Sequence, residues 1–239
     1  MGLPVSVHVR GPEATGDAAE RAVAAVFASL RHADALFSTY RPDSQVSRVR
    51  RGELTAAGWD PLLRSVVTLC ERARADTDGF FDARVATPDF DPSGLVKGWA
   101  VERAAAALAA LPGLDFCVNA GGDVVTRGRW RVGVEDPDRP DRLIVAVDVT
   151  GGAVATSGSA HRGAHIVNPF TGMPATGLSA VTVVGPSLTW ADVYATAAVA
   201  RGPEAVVWLD GLPGYEALLV ATDGGLLATR GWPSVAYAR

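Results

Sequence analysis

Lysine is almost missing from this chain. Of its 22 cationic side chains all but one are Arg, and the exception is Lys97. Cysteine and methionine occur twice each, histidine four times, and the formal net charge is −4. An acidic balance with scattered Arg lacks the basic stripe of a nucleic-acid-binding surface. The tightest cluster, Arg127, Arg129 and Arg131, alternates as the outward face of a strand would. Cys70 and Cys117 sit in apolar runs with no CxxC or secreted disulfide spacing, so they read as small buried hydrophobes in a reducing compartment. A disulfide between them stays open at this level. No apolar stretch approaches a membrane span, and no basic region followed by a hydrophobic segment opens the chain. These absences lead to an expectation of a cytoplasmic protein with no membrane span and no nucleic-acid partner.

What remains is an ordinary globular composition, with 239 residues of which 48% are hydrophobic and 20% charged, long enough to bury a substantial core. Val5, Val7 and Val9 alternate with polar residues and predict an edge or half-buried strand. Apolar residues at helical spacing predict a helix from Asp17 to about Phe37. Asp60-Pro61 is a helix opening, with Asp as cap and Pro in the first turn. A third helix is expected from about Gly98 through the Ala-rich 104–110 stretch to Pro112-Gly113. Short β-rich runs follow at Phe116–Asn119, Trp130–Glu135, Leu143–Val149, Ala153–Thr156 and Ala180–Val184. A helix over about Leu188 to Ala200, a shorter one from Pro203, and two strands around Asp223-Gly224-Gly225 complete the chain. Helices gather early and strands late without βαβ alternation, so the expected fold is α+β, one compact domain over residues 1–239 with a mixed or antiparallel sheet.

Several segments carry chemistry. A single ammonium in an Arg-rich chain suits a compact, rotatable point charge, holding a phosphate or a carboxylate where a planar guanidinium does not fit; compositional accident is the competing reading. Asp192 and Thr196 lie four apart in the 188–200 helix and project from one face. A carboxylate plus a hydroxyl suits Mg²⁺, which keeps several waters and completes its shell with substrate phosphates; capping and back-bonding within the helix would also explain the pair. The densest polar patch is Thr156-Ser157-Gly158, His161 and His165-Ile166-Val167-Asn168-Pro169-Phe170-Thr171-Gly172. The Asn168-Pro169 turn would fix the backbone just after His165, making it either a general base or a hydrogen-bonded turn histidine. Asn119-Ala120-Gly121-Gly122-Asp123 follows an apolar strand and reads as mainly structural. Tyr40-Arg41-Pro42-Asp43-Ser44 is a turn whose Tyr either stacks on a ring or closes the first helix.

In this order the segments resemble the FAD:protein FMN transferase family, the ApbE-like flavin transferases. The resemblance runs through Met1-Gly2, Phe37 to Ser44, Gly79-Phe80-Phe81-Asp82, Asp91-Pro92-Ser93-Gly94-Leu95-Val96-Lys97-Gly98, Asn119 to Asp123, Ala155 to Gly158, His165 to Pro169 with Gly172, and Asp192 to Thr196. It implies an α+β fold that binds FAD and Mg²⁺ in one cleft. It also implies transfer of the FMN half of FAD to a Thr or Ser hydroxyl of an acceptor flavoprotein, with release of AMP. By the same resemblance Asp192, Thr196 and the Gly94 carbonyl are metal ligands. Met1, Tyr40, Phe81, Asp82, Asp91, Lys97, His165 and Ile166 are FAD contacts, and His165 is catalytic together with Lys97. Two other outcomes share these residues: an FAD pyrophosphatase in which water attacks, and an FAD-binding protein without turnover. Three departures stand out: Leu3 where Thr is usual, Asn168 where Asp is frequent, and only eight residues between Asp82 and Asp91.

Overall fold

A computed structural model describes residues 2–84, 90–158, 163, 165–232 and 236–237. Strand β1 (Val5–Arg10) is followed by helices α1 (Asp17–Phe37), α2 (Gln45–Arg50), α3 (Pro61–Asp76) and α4 (Ser93–Ala109). Strands β2 (Asp115–Ala120), β3 (Asp123–Asp136), β4 (Arg139–Gly158) and β5 (Leu178–Gly185) come next. Helices α5 (Leu188–Arg201) and α6 (Ala205–Leu209) precede β6 (Glu216–Ala221), β7 (Leu226–Ala228) and β8 (Ala236–Tyr237). Every described pairing is antiparallel, in the order β1-β2-β3-β4-β5-β6-β7, with β8 also on β4. The α+β reading holds, and the sheet is antiparallel.

The first helix and the Asp60-Pro61 opening lie where the sequence pattern puts them, and Asp60 accepts the Leu62 amide at 2.7 Å. Two readings need correction. The third helix begins at Ser93, so Lys97 sits on its second turn and not in a loop. Asp91 accepts the Ser93 amide at 3.0 Å, while Gly94 and Gly98 lower the local helix propensity and hide this first stretch from periodicity. The short β runs also fuse. Leu143–Val149 and Ala153–Thr156 are one strand, β4, because the pairing with β3 absorbs Gly151-Gly152 in an irregularity opposite Thr126 to Arg129 instead of turning. The short α2 went unforeseen; Ser44 caps it by accepting the Ser47 amide at 3.0 Å.

The main core lies between the sheet and α1, α4 and α5, and a smaller cluster around Val147, Val154 and Trp232 covers the other face. Helix α5 is buried nearly all round, as expected of an element packed between the sheet and other helices. Both cysteines are free, Cys70 buried in α3 and Cys117 half-buried in β2, so the disulfide left open above is not formed. Burial, reinforced by Asp82, Asp91 and Glu71, pushes the Cys70 thiol up to about 12, consistent with a packing role.

The α4–α5 crossing positions everything that follows. A methyl group at Gly98 would stand 2.7 Å from the Leu188 carbonyl oxygen and 3.1 Å from the Asp192 Cβ. Gly98→Ala would gain about 1 kcal/mol of helix propensity but forces two backbones apart, an overpacking cost of about 1–3 kcal/mol. Since the obstacle is backbone, the second effect wins. Urea unfolding should show Gly98→Ala less stable than wild type, by up to about 2 kcal/mol.

Candidate functional site

Where α4 crosses α5 above the start of β3, three charged side chains meet. Asp192 is 1% exposed. Its Oδ2 accepts the Gly98 amide at 3.2 Å and its Oδ1 lies 3.2 Å from the Lys97 Nζ. The same ammonium is paired with Asp123, also 1% exposed, whose Oδ1 accepts the Thr156 amide at 3.1 Å. Asp123 is placed by the β2–β3 hairpin, which turns through Gly121 and Gly122 at φ of 62° and 97°. A two-residue turn with both φ positive is the I′ type that glycine favours. Burial works against the charge on Lys97, yet Asp192 and Asp123 outweigh it and hold the ammonium above its ordinary pKa. Burial raises the Asp192 carboxyl above the ordinary carboxylate range, against the pull of Lys97 and with the help of Asp123. Two buried carboxylates share one cation. The site is short of positive charge.

The surroundings open on one side. Thr196 lies one turn beyond Asp192 and is the one residue of 191–200 that is not fully buried; its Oγ1 bonds the Ser157 Oγ at 2.9 Å. Gly94 and Lys97, one turn apart on α4, are also half-buried. Phe81 closes the far side: a methyl at Gly94 would stand 3.3 Å from its ring, and its amide donates to the Thr77 Oγ1 at 3.0 Å. Asp82 pairs with Arg74 at 3.2 Å. Asp91 lies 4.0 Å from Arg50, and its amide donates to the Ala83 carbonyl at 2.7 Å, so the short Asp82–Asp91 connection is tied at its base.

The second loop reaches the other end of α5. The Asn168 Oδ1 accepts the Phe170 amide at 2.9 Å, while its Nδ2 donates to the Ala200 carbonyl at 3.1 Å. The expected turn is thus formed, and Asn168 also caps α5. Phe170 stacks edgewise on Phe80 at 4.8 Å, and the Arg201 guanidinium lies 4.4 Å over Phe80 while pairing with Asp78 at 2.7 Å. Ile166 packs against the core and its carbonyl accepts the Ala175 amide. His165 is exposed, its Nδ1 3.0 Å from the Gly163 carbonyl oxygen. Tyr40 is 94% exposed.

Gly94, Lys97, Asp192 and Thr196 therefore gather at one crossing, with Phe81 against Gly94. The structure describes no bond from His165 or Tyr40 to any of them. Met1 and His161 lie outside the described residues, although Leu3 packs on Gly121 and brings the N-terminal stretch beside the Asp123 turn. Asp123, in a segment read as mainly structural, and Ser157, in the polar patch, were not named as site residues. The available signal was an acid set between Gly122 and Val124 in an apolar hairpin, where burial demands a partner. Among the described residues no cluster of three or more His, Cys, Asp or Glu side chains could hold a metal ion.

Comparison with known proteins agrees with this architecture. A family model described as the ApbE family matches residues 1–89 and 88–219. The FAD:protein FMN transferase of Klebsiella pneumoniae (strain 342) is 32% identical over 130 residues, covering 48% of this chain and 37% of that protein. The FAD:protein FMN transferase of Escherichia coli (strain K12) is 31% identical over 144 residues, covering 52% and 41%. These matches span less than half of either relative's length. The crystal structure of the ApbE protein of Thermotoga maritima MSB8 superposes with a TM-score of 0.88 at 23% identity, covering 99% of this chain and 97% of that one, a likeness of fold.

The shared ammonium yields a prediction about stability. Lys97→Met leaves two buried carboxylates facing each other and should cost about 3–5 kcal/mol, the range for breaking a buried pair. Asp123→Asn keeps the acceptor for the Thr156 amide and should cost less. Because both act on one network, the double variant should lose less than the two losses added. Urea denaturation of the four proteins checks the order.

Proposed function

Because the chain belongs to the ApbE family, we propose that it is a Mg²⁺-dependent FAD:protein FMN transferase. It moves the FMN moiety of FAD to a Thr or Ser hydroxyl of a cytoplasmic acceptor flavoprotein and releases AMP. The observation that carries the reading is the buried, half-open group at the α4–α5 crossing, where Asp192 and Asp123 share the single cation Lys97.

The donor set fits a hard divalent cation. Asp192 offers a carboxylate, Thr196 a hydroxyl and Gly94 a main-chain carbonyl. The Gly98 amide donates to Asp192 at 3.2 Å and ties that carboxylate to the α4 turn that carries Gly94. Few protein oxygens and a deficit of positive charge match Mg²⁺, which relies on waters and substrate phosphates for the rest of its shell. When bound, such an ion neutralises charge on the pyrophosphate oxygens.

The residues of this chain do the remaining work. Lys97, held by two carboxylates, adds a fixed positive charge beside the phosphates. Phe81, Asp82, Asp91 and Ile166 form the walls of the flavin nucleotide site, and the family resemblance adds Tyr40, which is exposed, and Met1, which lies outside the described residues, as FAD contacts. The acceptor oxygen bonds to the FMN-side phosphorus, the bond from that phosphorus to the bridging oxygen breaks, and AMP leaves with that oxygen. His165 takes the hydroxyl proton, and the Asn168 turn fixes the backbone that follows it in the chain.

Three variants test this. Asp192→Ala should lower AMP release by at least about 100-fold, since metal-based charge stabilisation amounts to several kcal/mol and each 1.4 is tenfold. His165→Ala should lower kcat by about 10²–10⁴-fold while FAD still binds. Lys97→Arg preserves charge but places a planar fork between Asp123 and Asp192, and should reduce kcat/KM for FAD by about tenfold, one step of 1.4 kcal/mol. Intact acceptor mass is the readout for transfer. An adduct of FMN supports the proposal, and FMN plus AMP without adduct assigns the site to hydrolysis. Full AMP release by Asp192→Ala removes the metal assignment.

A further inference from the structure

Helix α5 carries three polar residues on a buried surface, Thr189, Asp192 and Thr196, at spacings of three and four that align them along one face. Each is met by another element. Thr196 bonds Ser157 of β4, and Asp192 bonds Gly98 and Lys97 of α4. Thr189 is met by Glu102, which lies one turn beyond Gly98 on the same face of α4. Glu102 Oε2 accepts the Thr189 amide at 3.0 Å, the Ser187 Oγ at 2.9 Å and the Thr189 Oγ1. One carboxylate oxygen thus takes three bonds from the first turn of the neighbouring helix.

Ordinary capping does not require this. Ser187 already serves as the cap of α5, its Oγ accepting the Trp190 amide. What Glu102 adds is a fixed axial offset between α5 and α4. The turn it grips immediately precedes Asp192, and the helix it grows from carries Gly94 and Lys97. An anion at a helix N-terminus is held firmly, with its charge set against the helix dipole.

We propose that Glu102 is a positioning residue of the transfer site. By locking the first turn of α5 to α4 it sets the distance between the Asp192 and Thr196 oxygens on one helix and the Gly94 carbonyl and Lys97 ammonium on the other. The inference rests on the reading of Asp192 and Thr196 as ligands of a divalent cation. Ion sites tolerate ligand displacements of only about 0.2 Å, so a clamp three residues away acts on affinity without touching the ion.

The test uses Mn²⁺ as a probe, with binding to the full chain measured by electron paramagnetic resonance in the absence of FAD, and Tm recorded for every variant. Glu102→Gln should raise the Mn²⁺ Kd about tenfold, the low end of the effect of removing a group that orients a metal ligand. Thr189→Val should act in the same direction, and Thr189→Ser, which keeps the hydroxyl, should match wild type. The Thr189 pair carries the test if Glu102→Gln does not fold. Wild-type Mn²⁺ affinity in Glu102→Gln or Thr189→Val, whatever their Tm, overturns the proposal and reduces the contact to packing. Asp192→Ala run alongside separates two failures. If it loses Mn²⁺ while Glu102→Gln keeps it, the Glu102 inference alone falls. If Asp192→Ala keeps Mn²⁺, the metal reading falls and the inference with it.

Discussion

An ammonium wedged between two buried carboxylates is the constraint around which this molecule is arranged. Asp192 and Asp123 are each 1% exposed, and a charge removed from water that far costs several kcal/mol unless it is paired and hydrogen-bonded. The partners come from separate parts of the fold: Lys97 and the Gly98 amide from α4, the Thr156 amide from β4, Asp123 from the β2–β3 turn and Asp192 from α5. None is adjacent in sequence to its partner. The group exists only when both helices have docked on the sheet, so the geometry of the site and the completion of the fold are one event.

The scarcity of lysine acquires a physical meaning here. Of the two uses read from sequence for a lone ammonium, pairing with carboxylates is the one visible between these side chains. An Arg would bring a planar fork into a space bounded by the Gly98 backbone, which already stands at the closest approach of the two helices. The chain uses Arg where the surroundings are open or stacked, as with Arg10 over Trp130 and Arg72 over Trp190. It keeps Lys where the pocket is narrow.

How much of this was legible follows from the range over which each signal acts. Helix α1, the Asp60-Pro61 opening and the hairpin around Asp223-Gly224-Gly225 are written in local periodicity and turn chemistry, and they lie where those rules put them. The start of α4 was not legible, because Gly94 and Gly98 weaken the local helix signal for reasons that lie elsewhere in the fold, the Phe81 ring against Gly94 and the close passage of Leu188 over Gly98. Strand β4 looked like two strands because its glycines are consumed by an irregularity set by the partner strand. Asp192 and Thr196 could be paired from helical spacing; the hairpin around Asp123 signalled a buried acid but not its partner, and Glu102 gave no local signal, since its role is defined by long-range contacts. Local chemistry is readable in sequence. Convergence is not.

A general reading of buried helices follows from α5. A helix enclosed on nearly all sides needs no polar side chain for solubility, so each polar residue that it carries requires a partner to offset desolvation. In α5 those residues fall on one face, and their partners are a carboxylate, a lysine with a backbone amide, and a serine, from two neighbouring elements. The exposed end of that stripe is Thr196, where the cover is incomplete. A polar stripe that starts with a clamp, passes through a buried ion group and ends at an opening is arranged as a track towards solvent. Gly94 and Lys97 are half-buried as well, so the polar face of one helix and the glycine-bearing face of the other converge where the cover over the buried charge is incomplete.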